Sequence, residues 1–319
     1  MIMGYNNKRV MANHFAKKLL TASVQDFGAK GDGSTDDTLA INNAISFVNK
    51  MGGGVVNVPA GTYMVNTTSN VDMQSNVELH LMENATIKGI QSTASFTAVV
   101  YVAAGVSNVK ITGEGDSSVI DANRYASSGS YQMGINCQGA SNITIKNLKV
   151  QNAYYDGISV GSEWSTPAYC QDVYIDKTTV YGCGRNGMCI TSAINCFVTN
   201  CEVSYTGYND DYREYPCNGI NFEMNVNTAY LYNCWIVGNY VHHNGYPWVQ
   251  WYCFGILVGL GNAEYPVNEY LVYVYNNRCV DNGRDVDSEQ IDYTQIDLYN
   301  SDARWASYGE IYYSDNYYT

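Results

Sequence analysis

Apolar and polar residues alternate in short runs through most of the chain. Ile143 and Ile145, and Val173 and Ile175, are apolar positions separated by one residue, the period of two that turns one face of a strand inward. A different period holds at Ile41, Ala44, Ile45 and Val48, where the spacing predicts a short helix over 36–50. Gly28, Gly31 and Gly33 form a tight turn before it, and Asp36 or Asp37 stands where a carboxylate caps the positive end of a helix. Gly52, Gly53 and Gly54 stop the helix. Val55, Val56 and Val58 then read as a strand, turned by Pro59 and Gly61. Such a helix covers the open end of a strand stack and blunts its edge. These glycines are not a phosphate loop, because GxxxxGK[ST] is absent and the order is loop, helix, strand.

Two units recur. One is Gly followed by an apolar residue: Gly134-Ile135, Gly157-Ile158, Gly187-Met188, Gly219-Ile220 and Gly255-Ile256. The other is a corner motif at Asn147, Lys177, Asn200, Asn239 and Asn277. Lys177 to Asn200 is the leanest repeat, 23 residues, enough for two or three short strands and their turns. Coils of this kind stack strand on strand at about 4.8 Å. Corner Asn side chains can then hydrogen-bond along the axis, as ladders do in cross-β stacks, so most Asn are read as structural. The expected fold is all-β, a right-handed parallel β-helix with a short N-terminal capping helix. Residues 1–22 are read as an extension and 23–319 as the β-helix domain.

Length beyond the lean coil marks insertions. They fall at roughly 204–217, 246–253 and 284–294 before the Gly strand, and at roughly 161–170, 224–232 and 259–268 after it. Loops on both sides of one strand column make walls over a floor, and function concentrates on such loops. Tyr, Trp and carboxylates dominate them, as in YTGYNDDYREYPC and YPWVQWYC. Aromatic faces stack on the C–H faces of sugars, and carboxylates accept from hydroxyls. The plainer reading is that Tyr suits strands and loop packing.

Composition narrows the class. The net charge is −13, so the basic footprint of a nucleic-acid binder is missing. A polyanionic partner is disfavoured unless metal ions bridge the two. The 10 cysteines form no compact framework. Cys189, Cys196 and Cys234 sit in apolar runs, so reduced, buried thiols are expected, and no zinc-type pairing of CxxC units is seen. No run reaches the ~20 apolar residues of a membrane helix. Phe15, Leu19 and Leu20 are too few for the apolar core of a secretory signal. Assembly in the cytoplasm or a virion is expected over secretion.

DFGAKGDGSTDDT, a helix, then GGGVVNVPAGTY resembles the start of pectin-lyase-like β-helices. That superfamily includes polygalacturonases, polysaccharide lyases, alginate C5-epimerases and phage tailspikes. The resemblance implies the fold and does not choose among the activities. YYDGISV, carrying Asp156, is similar to the Asn-Thr-Asp-Gly-Ile strand of polygalacturonases, whose Asp is catalytic. Where that family continues with Asp-Asp-Cys-Ile, this chain has NGMCI, and the later Gly-His-Gly and Arg-Ile-Lys motifs are missing. The Asp-Pro-His-Glu run of alginate epimerases is also absent.

On the expected floor, Ile158, Met188, Ile220 and Ile256 face inward. Ser159, Cys189, Asn221 and Asp297 face outward, followed by Gly161, Thr191, Glu223 and Tyr299. Asp156, Asn186 and Asn218 precede the Gly strand. Glycosidases need two carboxylates about 5–9.5 Å apart, and the candidates are Asp156, Glu223, Asp210, Asp211 and Asp297. Asp156 is equally a turn residue before Gly157. Candidate substrate contacts are Arg185, Arg213, His243, Trp164, Tyr208, Tyr212, Trp248 and Trp251. His242 and His243 read as a metal or acid/base pair, or as ordinary corner residues. By corner alignment His242 falls with Val150 and Val203, and His243 faces outward.

The function expected is polysaccharide cleavage by a glycoside hydrolase, including the phage tailspike type, which would be a homotrimer. A non-catalytic glycan-binding β-helix and a polysaccharide lyase or C5-epimerase are the alternatives. No cofactor is expected, apart from calcium in the lyase case.

Overall fold

The computed structural model describes residues 20–90, 94, 96–124, 131–161, 169–207, 216–224, 228–245, 253–259, 270–282, 296–299 and 309–318. Their strands form three parallel sheets. The first runs from Leu20–Ser23 to Gly309–Ser314, the second from Asp32–Asp36 to Tyr317–Tyr318, and the third from Val71–Asp72 to Ile296–Tyr299. The chain visits them in rotation. Ile158–Gly161 of the third sheet leads to Cys170–Asp176 of the first, Thr179–Tyr181 of the second, then Met188–Ile190 of the third again. Each circuit lays its strands on those of the circuit before, which makes a parallel β-helix. Twisted parallel strands take right-handed crossovers almost without exception. Leu20–Ser23 pairs with the strand starting at Gly54 and is the first strand among the described residues.

The core is the interior of the coil, where like residues stack. Val109, Ile143, Val173, Cys196 and Cys234 pair in succession on the first sheet, as do Ile111, Ile145, Ile175, Val198 and Ile236. All ten side chains are fully buried. Burial of each aliphatic one contributes roughly 1.5–3 kcal/mol. A slip of one residue would turn a whole column outward, so the register is strongly fixed. All ten cysteines of the chain are buried free thiols.

Helix Thr38–Lys50 buries Ile41, Ala44, Ile45 and Val48, the predicted face. Its cap is more elaborate than the sequence suggests. Asp37 holds the N-cap position, but its carboxylate accepts the backbone N–H groups of Lys30 at 2.7 Å and Gly31 at 3.0 Å. Asp36 accepts the N–H of Thr38 instead. Asp32 accepts the backbone N–H groups of Thr35 and Ser34 together with their hydroxyls, which holds its carboxyl well below the usual range. The acidic, Gly-rich segment is therefore a self-bonded turn that seats the helix.

The Gly repeat has a steric cause. A Cβ on Gly157 would lie 2.5 Å from Val180 Cγ1 and 2.6 Å from the carbonyl oxygen of Gly187. On Gly187 it would lie 2.2 Å from Val203 Cγ1. The corner between the second and third sheets has no room for a side chain there.

Two of the five expected corner motifs are displaced by one residue. Val150, Val180, Val203 and Val241 pair in succession, so Asn147, Lys177 and Asn200 align with Gly238 and Asn276 rather than with Asn239 and Asn277. The aligned residues share the left-handed conformation, with φ of 60° at Asn147 and 54° at Asn276. Asn239 and Asn277 lie one position on and are buried. Asn239 donates its N–H to Asn277 Oδ1, and Asn277 donates to Asn316 Oδ1, both at 3.0 Å. The same displacement moves His242, which pairs with Ser204 and not with Val203.

Candidate functional site

Both sets of expected insertions attach to the third sheet, one entering its strands and one leaving them. Trp164, Tyr208, Asp210, Asp211, Tyr212, Arg213, Trp248 and Trp251 lie outside the described residues. Asp297 is placed by its backbone alone: it pairs with Leu257, which pairs with Asn221. Asp156, Arg185 and Glu223 are described, and the fold brings them into one cluster.

Arg185 is its centre. It stands before strand Met188–Ile190, with Tyr155 and Asp156 on the coil before. Its Nη1 donates to Asp156 Oδ2 at 3.1 Å, and its guanidinium carbon lies 4.4 Å from the centre of the Tyr155 ring. Nη1 also reaches Cys189 Sγ at 3.9 Å. Asn221 Nδ2 approaches the same sulfur at 3.8 Å and donates to Glu223 Oε2 at 3.1 Å. Asp156 and Glu223 are thus joined through Arg185, Cys189 and Asn221, across the coils of the third sheet.

The two carboxylates differ in access. Asp156 is 1% exposed. Besides Arg185 it accepts the backbone N–H of Asn186 at 3.1 Å. Asn186 Oδ1 in turn accepts the N–H of Asn218, and Asn218 Oδ1 that of Phe254. Asp156 is the first rung of a buried side-chain ladder. Burial pushes its carboxyl above the usual range, against the pull of Arg185 and the Asn186 N–H. For Arg185 burial acts downward, but Asp156, Cys189, Tyr155 and Glu223 together raise it. Glu223 ends strand Ile220–Glu223 and is half-buried. The expected outward residues Cys189 and Asn221 do face out, yet both are covered. Asn221 Oδ1 has no hydrogen-bond partner among the described residues, which is costly for a buried acceptor.

His243 does not join this cluster. It lies at the corner after Tyr240–His242, with His242 Nδ1 2.8 Å from His243 Nδ1 and His242 Nε2 3.2 Å from Glu202 Oε1. His243 stacks on Tyr205. Burial lowers the pKa of His242, opposed by Glu202. Among the described residues no three or more His, Cys, Asp or Glu side chains converge as a metal site.

Sequence reasoning missed Tyr155, and with it two further aromatics on the same edge. Phe96 and Tyr131 stack with centroids 4.7 Å apart, and Tyr131 meets the Tyr155 ring edge-on at 4.9 Å. The available signal was an aromatic just ahead of successive third-sheet strands.

Residues 21–110 match a family model described as rhamnogalacturonase A/epimerase, pectate lyase-like. An uncharacterised protein of Bacillus subtilis, YclG, is 25% identical over 259 residues, 70% of this chain and 44% of that protein. Alginate lyase 7 of Azotobacter vinelandii is 49% identical over 67 residues, 21% of this chain and 8% of its own. The chain thus spans less than half the length of these curated relatives. Gene product 12 of bacteriophage phi29 superimposes with a TM-score of 0.57 at 19% identity, covering 81% of this chain and 33% of that one. The chain is a parallel β-helix, and its residues 21–110 are similar to the pectate lyase-like model.

Proposed function

We propose that the protein cleaves a polysaccharide laid along the outer face of the third sheet, as a glycoside hydrolase. The observation that carries the reading is the chain of contacts from Asp156 through Arg185, Cys189 and Asn221 to Glu223 on this face. The family model and alginate lyase 7 support a polysaccharide as partner. Glu223 is the accessible carboxylate, held by Asn221, and is assigned the acid/base or nucleophilic role. Asp156 is a positioning residue that fixes Arg185. Hydrolysis needs a second carboxylate, and the candidates are Asp210, Asp211 and Asp297. Elimination would need a cation to neutralise a uronate, and Arg185 is already engaged by Asp156. Calcium could take that part in a lyase.

A second reading is a glycan-binding β-helix without catalysis, as in a phage appendage. It is favoured by the burial of Asp156 in a structural ladder. Incubation with a panel of neutral and uronate polysaccharides separates the cases. New reducing ends without the ultraviolet absorbance of an unsaturated uronate, the product of elimination rather than hydrolysis, support a hydrolase. That absorbance indicates a lyase, and binding with neither signal indicates an adhesin.

A further inference from the structure

We propose that Phe96, backed by Tyr131 and Tyr155, forms a stacking platform for a neutral pyranosyl residue, extending the groove from the Arg185 cluster toward the N-terminal end. The inference rests on the polysaccharide reading and adds to it a subsite and a sugar class.

The platform is built by register. Thr97 donates its N–H to the carbonyl of Tyr131, Tyr155 to that of Gln132, and Arg185 to that of Tyr155. These bonds set Phe96, Tyr131, Tyr155 and Arg185 on one edge of the third sheet in successive coils. At about 4.8 Å per coil the stripe is roughly 14 Å long. Because Tyr131 covers one face of Phe96, the face it offers a ligand is the other face of Phe96, which takes one sugar ring. Phe96 is 60% exposed and Tyr131 37%. With Tyr131 on one face, Phe96 turns its other face to solvent. Its φ of 54° places a bulky side chain in the left-handed region, where such residues are uncommon.

A second aromatic series shows what a purely structural stack looks like. On the first sheet Tyr174, Phe197, Trp235, Tyr273 and Tyr312 follow in register. Tyr174 and Phe197 are 3° from coplanar, Trp235 and Tyr273 16°, and Tyr273 and Tyr312 12°. Within each of those pairs one ring covers a face of the next, as Tyr131 covers a face of Phe96. Tyr131 and Tyr155 instead meet at 81°, which ends the stack beside Arg185 and leaves Phe96 as its open face.

The sugar class follows from the neighbours. Farther along the same strands, roughly 13–16 Å from the rings at about 3.3 Å per residue, the outward column is Asp72, Tyr101, Asn136 and Ser159, in register. Gln138 Nε2 donates to Asn136 Oδ1 beside it. Carboxylate, amide and hydroxyl groups suit sugar hydroxyls. Among the described residues at this edge Arg185 is engaged by Asp156 and Arg124, just ahead of strand Gln132–Gln138, is buried, so a row of uronates would find little accessible positive charge among them.

The test measures binding of dextran, mannan, galactan, alginate and polygalacturonate to the wild type, F96A/Y131A and Phe96→Trp. The expected result is that a neutral glycan binds, that its affinity falls tenfold or more in F96A/Y131A, and that it shifts the emission spectrum of the Phe96→Trp variant relative to that of the wild type. Phe96 is exposed, so the thermal midpoint should hold. An unchanged affinity in the double variant, or an emission change no different from the wild type's at saturation, overturns the platform while leaving the polysaccharide reading intact. Binding of the polyuronates alone overturns the sugar class. If the wild type neither binds nor cleaves any polysaccharide, the functional reading itself falls, and the platform with it.

Discussion

Asp156 accepts the backbone N–H of Asn186, one coil along, at 3.1 Å, the bond that Asn186 then offers to Asn218 at 3.0 Å. A carboxylate therefore occupies the first place of an Asn ladder. The ladder needs only an acceptor there, and the charge serves Arg185.

This relationship separates two substitutions. Asp156→Ala removes the acceptor and strands a buried guanidinium, a change that costs about 3–5 kcal/mol. Asp156→Asn keeps the acceptor for Asn186 and should cost distinctly less. Denaturant unfolding of both variants checks the order; equal losses would mean that the ladder bond contributes little.

Gly187→Ala tests the steric account of the repeat. Its Cβ would meet Val203 Cγ1 at 2.2 Å and the Gly219 carbonyl oxygen at 2.6 Å. Overpacking of this kind costs about 1–3 kcal/mol. Adding Val203→Ala should recover part of the loss, because it removes one of the two clashes. Thermal unfolding of the single and double variants measures it.

His242 gives the protein a pH dependence of known sign. Burial lowers its folded-state pKa below the ordinary histidine value of 6.5, against Glu202, while His243 and Arg278 act in the lowering direction. The unfolded state therefore binds the proton first. Its contribution to stability is complete above about pH 6.5 and is lost as pH falls through the lowered folded value. The unfolding midpoint should drop over that window, and His242→Gln should flatten the drop.

The cysteines should be slow to react in the native protein. Cys196 and Cys234 pair across adjacent coils inside the core, and burial pushes the Cys234 thiol up to about 12. A thiol reagent should titrate all ten in denaturant and few in buffer. Rapid native labelling would contradict the packing.

Much of this was legible in the residues. Period two at Ile143 and Ile145 revealed the first sheet, and the Ile41, Ala44, Ile45 and Val48 spacing revealed the helix. The error at Asn239 and Asn277 has a physical source. Asn serves both as a left-handed corner residue, as at Asn147, and as a buried ladder rung, as at Asn239. The two roles lie one residue apart, and pattern alone does not separate them. The place of Glu223 at the end of a third-sheet strand was legible from alternation. The burial of Asp156 was not, because it depends on Arg185 folding over it from the next coil. The Phe96 and Tyr131 stack was missed because those coils lack the long insertions that drew attention to the later ones.

The central claim is that the third-sheet face carries the chemistry and that Glu223 performs it. The direct measurement is reducing-end release from a bound polysaccharide by the wild type and by Glu223→Gln, whose amide oxygen can still accept from Asn221. The predicted result is a fall of ~10² or more, the scale of a positioned proton transfer, with glycan affinity retained. Full activity in Glu223→Gln would contradict it.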